Sequence, residues 1–212
     1  MWPHDETLDD GSLTPEQSLA LVEAQRARVA QETDVNTVLL YGAWGLAWFL
    51  GFGLWALSEG TDPVVALPSG LVGAVFGLLI VGAAVVTMVH SMRAGRGLRG
   101  RDQVRGAMYG WTWMLAFAAL FVVMWALHQQ DAPEPLLRLL WPVLSCLLVA
   151  VMQMMGGAIW TDAYQFGIGA WILLCTGAGA VLGLPGFYLL MSLAGGGGFL
   201  LMAAWLGLRR NR

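Results

Sequence analysis

"RAGRGLRGRDQVRG", residues 93–106, places five arginines and four glycines in fourteen residues, between two long apolar stretches. An arginine at the centre of a bilayer costs about 2.5–3.5 kcal/mol. A segment carrying five of them is expected to stay on the side where it is made. The apolar stretches on either side then read as a span that arrives at the cytoplasmic face and a span that leaves it.

The rest of the chain supports this reading. Of its 212 residues 58% are hydrophobic and only 12% are charged, whereas a soluble domain carries about 25% charged residues. Residues 1–36 hold eight of the fourteen acids, and 93–106 hold five of the eleven arginines; there is no lysine. The N-terminus, "MWPHDETLDDGSLTPEQ", has neither the basic nor the apolar region of a secretory signal, so the acidic tail is expected in the cytoplasm. The arginine-only usage, with abundant Ala, Gly, Val and Leu, points to a GC-rich bacterial genome.

Within the tail, residues 15–33 read as a short cytoplasmic amphipathic helix. Thr14 and Gln17 form a T-x-x-Q capping box, and Pro15 occupies the first helical position. Six apolar spans follow, each near the roughly 20 residues that cross a bilayer. They are placed near 37–57, 69–92, 107–127, 136–155, 165–183 and 187–208, with a basic tail at 209–212. The fold class is therefore an all-α integral membrane protein of the cytoplasmic (inner) membrane. Counting arginines on each side gives ten inside against Arg138 alone outside. By the positive-inside rule both termini are cytoplasmic.

Arg93, Arg96, Arg99, Arg101 and Arg105 are candidate contacts for anionic lipid head groups at the inner face, or for a docking protein. Topology with lipid contact ranks first. Gly95, Gly97, Gly100 and Gly106 disfavour a rigid helix, and the G-x-x-x-x-G-K-[ST] pattern is absent, so no preformed phosphate site is expected. No nucleic-acid partner is expected either; a protein partner or a second copy of the chain is.

Two further patterns stand out. Tyr41, Trp44, Trp48 and Trp55 share one face of the first span, at the same relative spacing as Gly70, Gly73, Gly77 and Ala84 in the second. An aromatic ridge seated in a small-residue groove is expected, with Gly77 facing Trp48, since small residues let membrane helices approach closely. In the sixth span Gly195, Gly196, Gly197 and Gly198 lie near mid-membrane. They read either as a tight contact with Gly177, Gly179 and Gly183 of the fifth span, or as a helix break lining a cavity. Tight packing implies that Gly196→Ala is tolerated and Gly197→Leu is damaging.

No catalytic, cofactor or metal set is recognisable. Cys146 and Cys175 fall inside spans without metal spacing, and His90 and His128 stand at opposite membrane faces. No Asp, Glu, Lys or Arg stands in the middle of a span, which argues against a proton-coupled pump or an ordinary ion channel. The expected function is a transport-type module for a neutral or lipophilic compound. The alternative is an accessory or regulatory subunit that docks a partner through the N-terminal helix and the 93–106 loop. The layout resembles that of six-span ABC exporter permeases: a cytoplasmic amphipathic helix, six spans, both termini inside. That resemblance implies contact between the 93–106 loop and an ATPase. It is one of architecture, without a shared motif, and the short "GLPG" turn at 183–186 departs from it.

Overall fold

A computed structural model describes residues 14–32, 36–60, 63–94 and 101–210. Among the described residues there are helices and no strands. In order these are α1 (Pro15–Glu32), α2 (Thr37–Ser58), α3 (Ser69–Ala94), α4 (Arg101–Gln129), α5 (Glu134–Trp160), α6 (Ala163–Leu182) and α7 (Gly186–Leu190). A π-helical turn (Met191–Gly196) and α8 (Gly197–Arg210) complete the chain.

The helix ends follow from local chemistry. The backbone N–H of Thr14 donates to the Gln17 side chain, and that of Gln17 to the Thr14 hydroxyl, which is the reciprocal capping box. Asn36 caps α2 by accepting from Leu39 N. Pro133 and Pro135 open α5, and Thr161, in the left-handed region at φ 56°, ends it. Asp162 then starts α6 by accepting from Tyr164 N and Gln165 N. Gly183, at φ 66°, turns the chain into α7, a backbone conformation that favours glycine.

Six helical segments are long and apolar enough to cross a membrane: Thr37–Ser58, Ser69–Arg93, Gln103–Gln129, Glu134–Trp160, Ala163–Leu182 and Gly186–Arg209. The third span was placed near 107–127; the apolar segment there is Gln103–Gln129, carried by α4, which begins at Arg101 and contains Gly106. One interior glycine costs about 1 kcal/mol. That is too little to unwind a turn flanked by Gln103, Val104, Ala107 and Met108.

The spans pack in series. α3 lies on α2; α2 lies on the last span (α7, the π turn and α8); the last span lies on α6; α6 lies on α5; and α5 lies on α4. The core runs through the middle of this series. It joins Trp48 and Phe52 of α2, Phe187, Met191 and Phe199 of the last span, and Ile172 of α6. Cys146 and Cys175 are free thiols buried in it. The α5–α6 contact is very close: a Cβ on Gly169 would fall 2.7 Å from Met154 N, and one on Gly157 would fall 2.5 Å from Phe166 N. Among the described residues no buried side-chain nitrogen or oxygen lacks a hydrogen-bond partner, as an apolar surrounding requires.

Candidate functional site

The site is built around the last span. The aromatic stripe of α2 divides between two neighbours. Trp44 Nε1 donates to Thr87 Oγ1 of α3 at 2.9 Å. Trp55 stacks on Tyr188 of α7, with ring centroids 5.6 Å apart, and touches the Cβ position of Gly73 at 3.7 Å. Tyr41 and Trp48 turn instead to Phe199 of α8, at 6.0 and 5.5 Å.

The expected match of Trp48 with Gly77 is therefore overturned. A Cβ on Gly77 meets nothing within 4 Å, whereas one on Gly195 sits 3.4 Å from the Trp48 ring. The ridge does find a glycine groove, but much of that groove belongs to the sixth span.

The glycine run has a different partner from the one expected. A Cβ on Gly196 would fall 2.4 Å from Phe49 N, so two helix backbones meet there. Ser192, one turn earlier, donates its hydroxyl to Phe49 O at 2.7 Å. The Cβ positions of Gly177 and Gly197 are open, that of Gly179 faces Phe187, and that of Gly198 lies 2.8 Å from Trp171 Nε1. Gly195 and Gly196 thus pack against α2 rather than against Gly177, Gly179 and Gly183, while Gly198 meets α6 at Trp171. The expected substitution pattern reverses with it: Gly196 has no room for a methyl group, and the Cβ position of Gly197 is open. Helical bonding is not interrupted. It widens into a π turn at Met191–Gly196 and returns to α-helix at Gly197. Single π turns often mark functional positions in helices.

Opposite Gly196, the same span borders a groove of about 560 Å³ shared with α6. Ile168 and Gly167 of α6 form one side of it, and Ala194, Gly198, Leu201 and Met202 form the other. Trp171 bridges the two sides, donating Nε1 to Ala194 O at 2.8 Å. Tyr164 and Trp205 meet edge to face, 5.1 Å apart, at one end. The Arg209 guanidinium lies 3.9 Å over the Trp205 ring. The groove is apolar and widely open, and Arg209 borders it through its stack on Trp205.

Two polar ties were not recognised in the sequence. Tyr109 of α4 donates its hydroxyl to Met152 O at 2.7 Å, and Gln165 Nε2 donates to Gln153 Oε1 at 3.1 Å. Gly156 lies beneath both, since a Cβ there would fall 2.3 Å from Gln165 Nε2 and 2.6 Å from the Tyr109 hydroxyl. The two glutamines, polar residues at neighbouring ends of successive spans, were the available signal. At the opposite end Arg138 forms an ion pair with Glu59, tying the start of α5 to the end of α2.

Of the five basic-loop candidates, Arg93 and Arg105 are exposed on α3 and α4. Arg101 is the first residue of α4. Arg96 and Arg99 lie outside the described residues, as does the acidic tail before Thr14. His90 Nε2 accepts from Asn36 N at 3.0 Å. Among the described residues no three His, Cys, Asp or Glu side chains gather as metal ligands. No protein-family model, no curated protein and no solved structure matches the chain.

Proposed function

We propose that this chain is a multi-pass protein of a bacterial cytoplasmic membrane, with both termini inside, and that it handles a lipophilic compound as a transport-type module. The observation that carries this reading is the open apolar groove between α6 and the last span. Its volume falls within the roughly 300–1,000 Å³ of ordinary small-molecule sites. It borders the π turn, and its walls carry aromatic side chains with one bridging hydrogen bond, so an apolar molecule enters from the bilayer without desolvating charge. The ten-to-one arginine distribution supports the orientation. The lack of ionisable residues at mid-span supports a cargo that needs no charged pathway.

The test uses the purified chain in vesicles with a diazirine-bearing long-chain alcohol. Crosslinks are expected on residues 164–171 and 193–205. Even labelling over α3 and α4 overturns the groove as the site. Movement is tested with a fluorescent lipid whose outer-leaflet copies are quenched chemically. Faster exchange between leaflets than in protein-free vesicles is expected.

The accessory-subunit reading has its own support in the bare outer faces of α3 and α4, where Leu78 is 74% exposed and Trp125 63%. Crosslinking in the groove without accelerated exchange favours that reading.

A further inference from the structure

We propose that the groove between α6 and the last span holds an anionic phospholipid drawn from the leaflet on the Arg209 side, with one acyl chain in the groove and the phosphate on Arg209. This rests on the lipophile-binding reading above and names the ligand class.

Three observations carry it. The first is length. Residues 193–205 make about 18 Å of helix, close to the depth of one leaflet in a hydrocarbon core about 30 Å thick. The groove therefore matches a chain entering from one face and ending near mid-membrane.

The second is the profile along that length. Leu193 and Leu201 border it and are more than half exposed, Trp171 is 46% exposed, and the aromatic pair Tyr164–Trp205 stands at the end where chain gives way to head group. Trp and Tyr favour that depth because each has an apolar body and a polar edge.

The third is charge. Arg209 stacks on Trp205, which places its guanidinium at the mouth. Its planar fork suits a phosphodiester. Asp162, the acid nearest in sequence to this end of α6, is engaged with Tyr164 N and Gln165 N as the helix cap. Arg209 is thus the cation that the structure places beside Trp205 at the mouth.

The glycines supply the test. A Cβ on Gly167 meets no atom within 4 Å, yet Gly167 borders the groove, so Gly167→Leu adds its side chain from an open position at the groove wall. Gly177, on the same helix, is equally open but lies outside the groove, so Gly177→Leu is the control. Leu201→Trp fills the groove from the opposite side and guards against a local folding defect in the first variant.

The full chain is reconstituted in vesicles of equal parts phosphatidylglycerol and phosphatidylcholine, released, and weighed with its adducts by native mass spectrometry. One retained lipid is expected, enriched in phosphatidylglycerol. Gly167→Leu and Leu201→Trp should lower its occupancy several-fold relative to Gly177→Leu. Arg209→Gln should keep a lipid but lower the preference for phosphatidylglycerol by roughly fivefold, the factor expected for one interfacial cation.

Loss of the adduct on filling the groove, with headgroup preference unchanged in Arg209→Gln, overturns the phosphate contact and leaves lipophile binding standing. Unchanged occupancy in both groove-filling variants overturns the groove itself. A groove-dependent dimer in place of a lipid adduct shows a second copy as the occupant and overturns the proposal.

Discussion

α2 and α3 are joined by a short connection and pack on one another, yet they live in different surroundings. The most apolar window of α3 has a mean hydropathy of 2.5, the highest of the six spans, and only 11% of it is buried. That of α2 has 1.5, the lowest, and 33% of it is buried. In a soluble protein the order would be reversed. The observed order fits helices in a bilayer, where lipid is as apolar as leucine and apolarity alone does not draw a helix inward. The inner helices are distinguished by what lets backbones and rings approach: Gly45, Gly51 and Trp48 on α2, and Ser192, Gly195 and Gly196 on the last span.

The sharpest way to break this comparison is at the α2–last span contact. Gly196→Val should abolish most folded protein, and Gly196→Ala should cost about 1–3 kcal/mol by overpacking, because Phe49 N stands 2.4 Å from the new carbon. Unfolding in mixed micelles by denaturing detergent measures it. A stable Gly196→Ala protein would mean that the two backbones do not meet.

Next in size is Gly51→Leu. A Cβ there falls 2.1 Å from the Phe76 ring. A ring can swing aside where a backbone cannot, so a smaller loss than for Gly196→Val is expected in the same assay.

Trp171→Phe removes the hydrogen bond to Ala194 O but keeps an aromatic wall. A cost of about 0.6 kcal/mol is expected, the usual value for such bonds between membrane helices. The change should appear as increased exchange of the amides near the π turn, read by hydrogen–deuterium exchange, with little change in yield.

Glu59→Gln should be milder still. Arg138 is half exposed, so solvent screening leaves such a pair about 0–1 kcal/mol. The effect should shrink further in high salt, which a salt series of melting curves would show. Smallest is Gly77→Leu, which should leave yield and melting unchanged because its surroundings are open. A clear loss there would restore the ridge-and-groove match between α2 and α3.

The six spans were legible because span length and the arginine distribution are written locally. The partner of each face was not. Trp48 and Gly77 share matching offsets on helices adjacent in sequence, and that adjacency made the pairing plausible. The true partner, Gly195, is far away in the chain, and no periodicity within either helix points to it. The same applies to Gly196, whose run was noticed while its neighbour Phe49 was not. The groove was half visible: residues 195–198 were marked as unusual, but Gly167, Trp171 and Arg209 gain their meaning only once α6 and the last span stand side by side. Arg138 was readable as a lone charge at one face, though its partner Glu59 was not.

The seam between α2 and the last span also sets a timetable. The first span of the bundle has its closest backbone contact with the last. Ribosomes add about 5–20 residues per second, so on the order of ten seconds separates the emergence of Phe49 from that of Gly196. Throughout that interval the face of α2 that carries Trp48 and Phe49 lacks the partner it has in the finished bundle. A chain cut short before Gly196 would leave its earliest long helix without that neighbour.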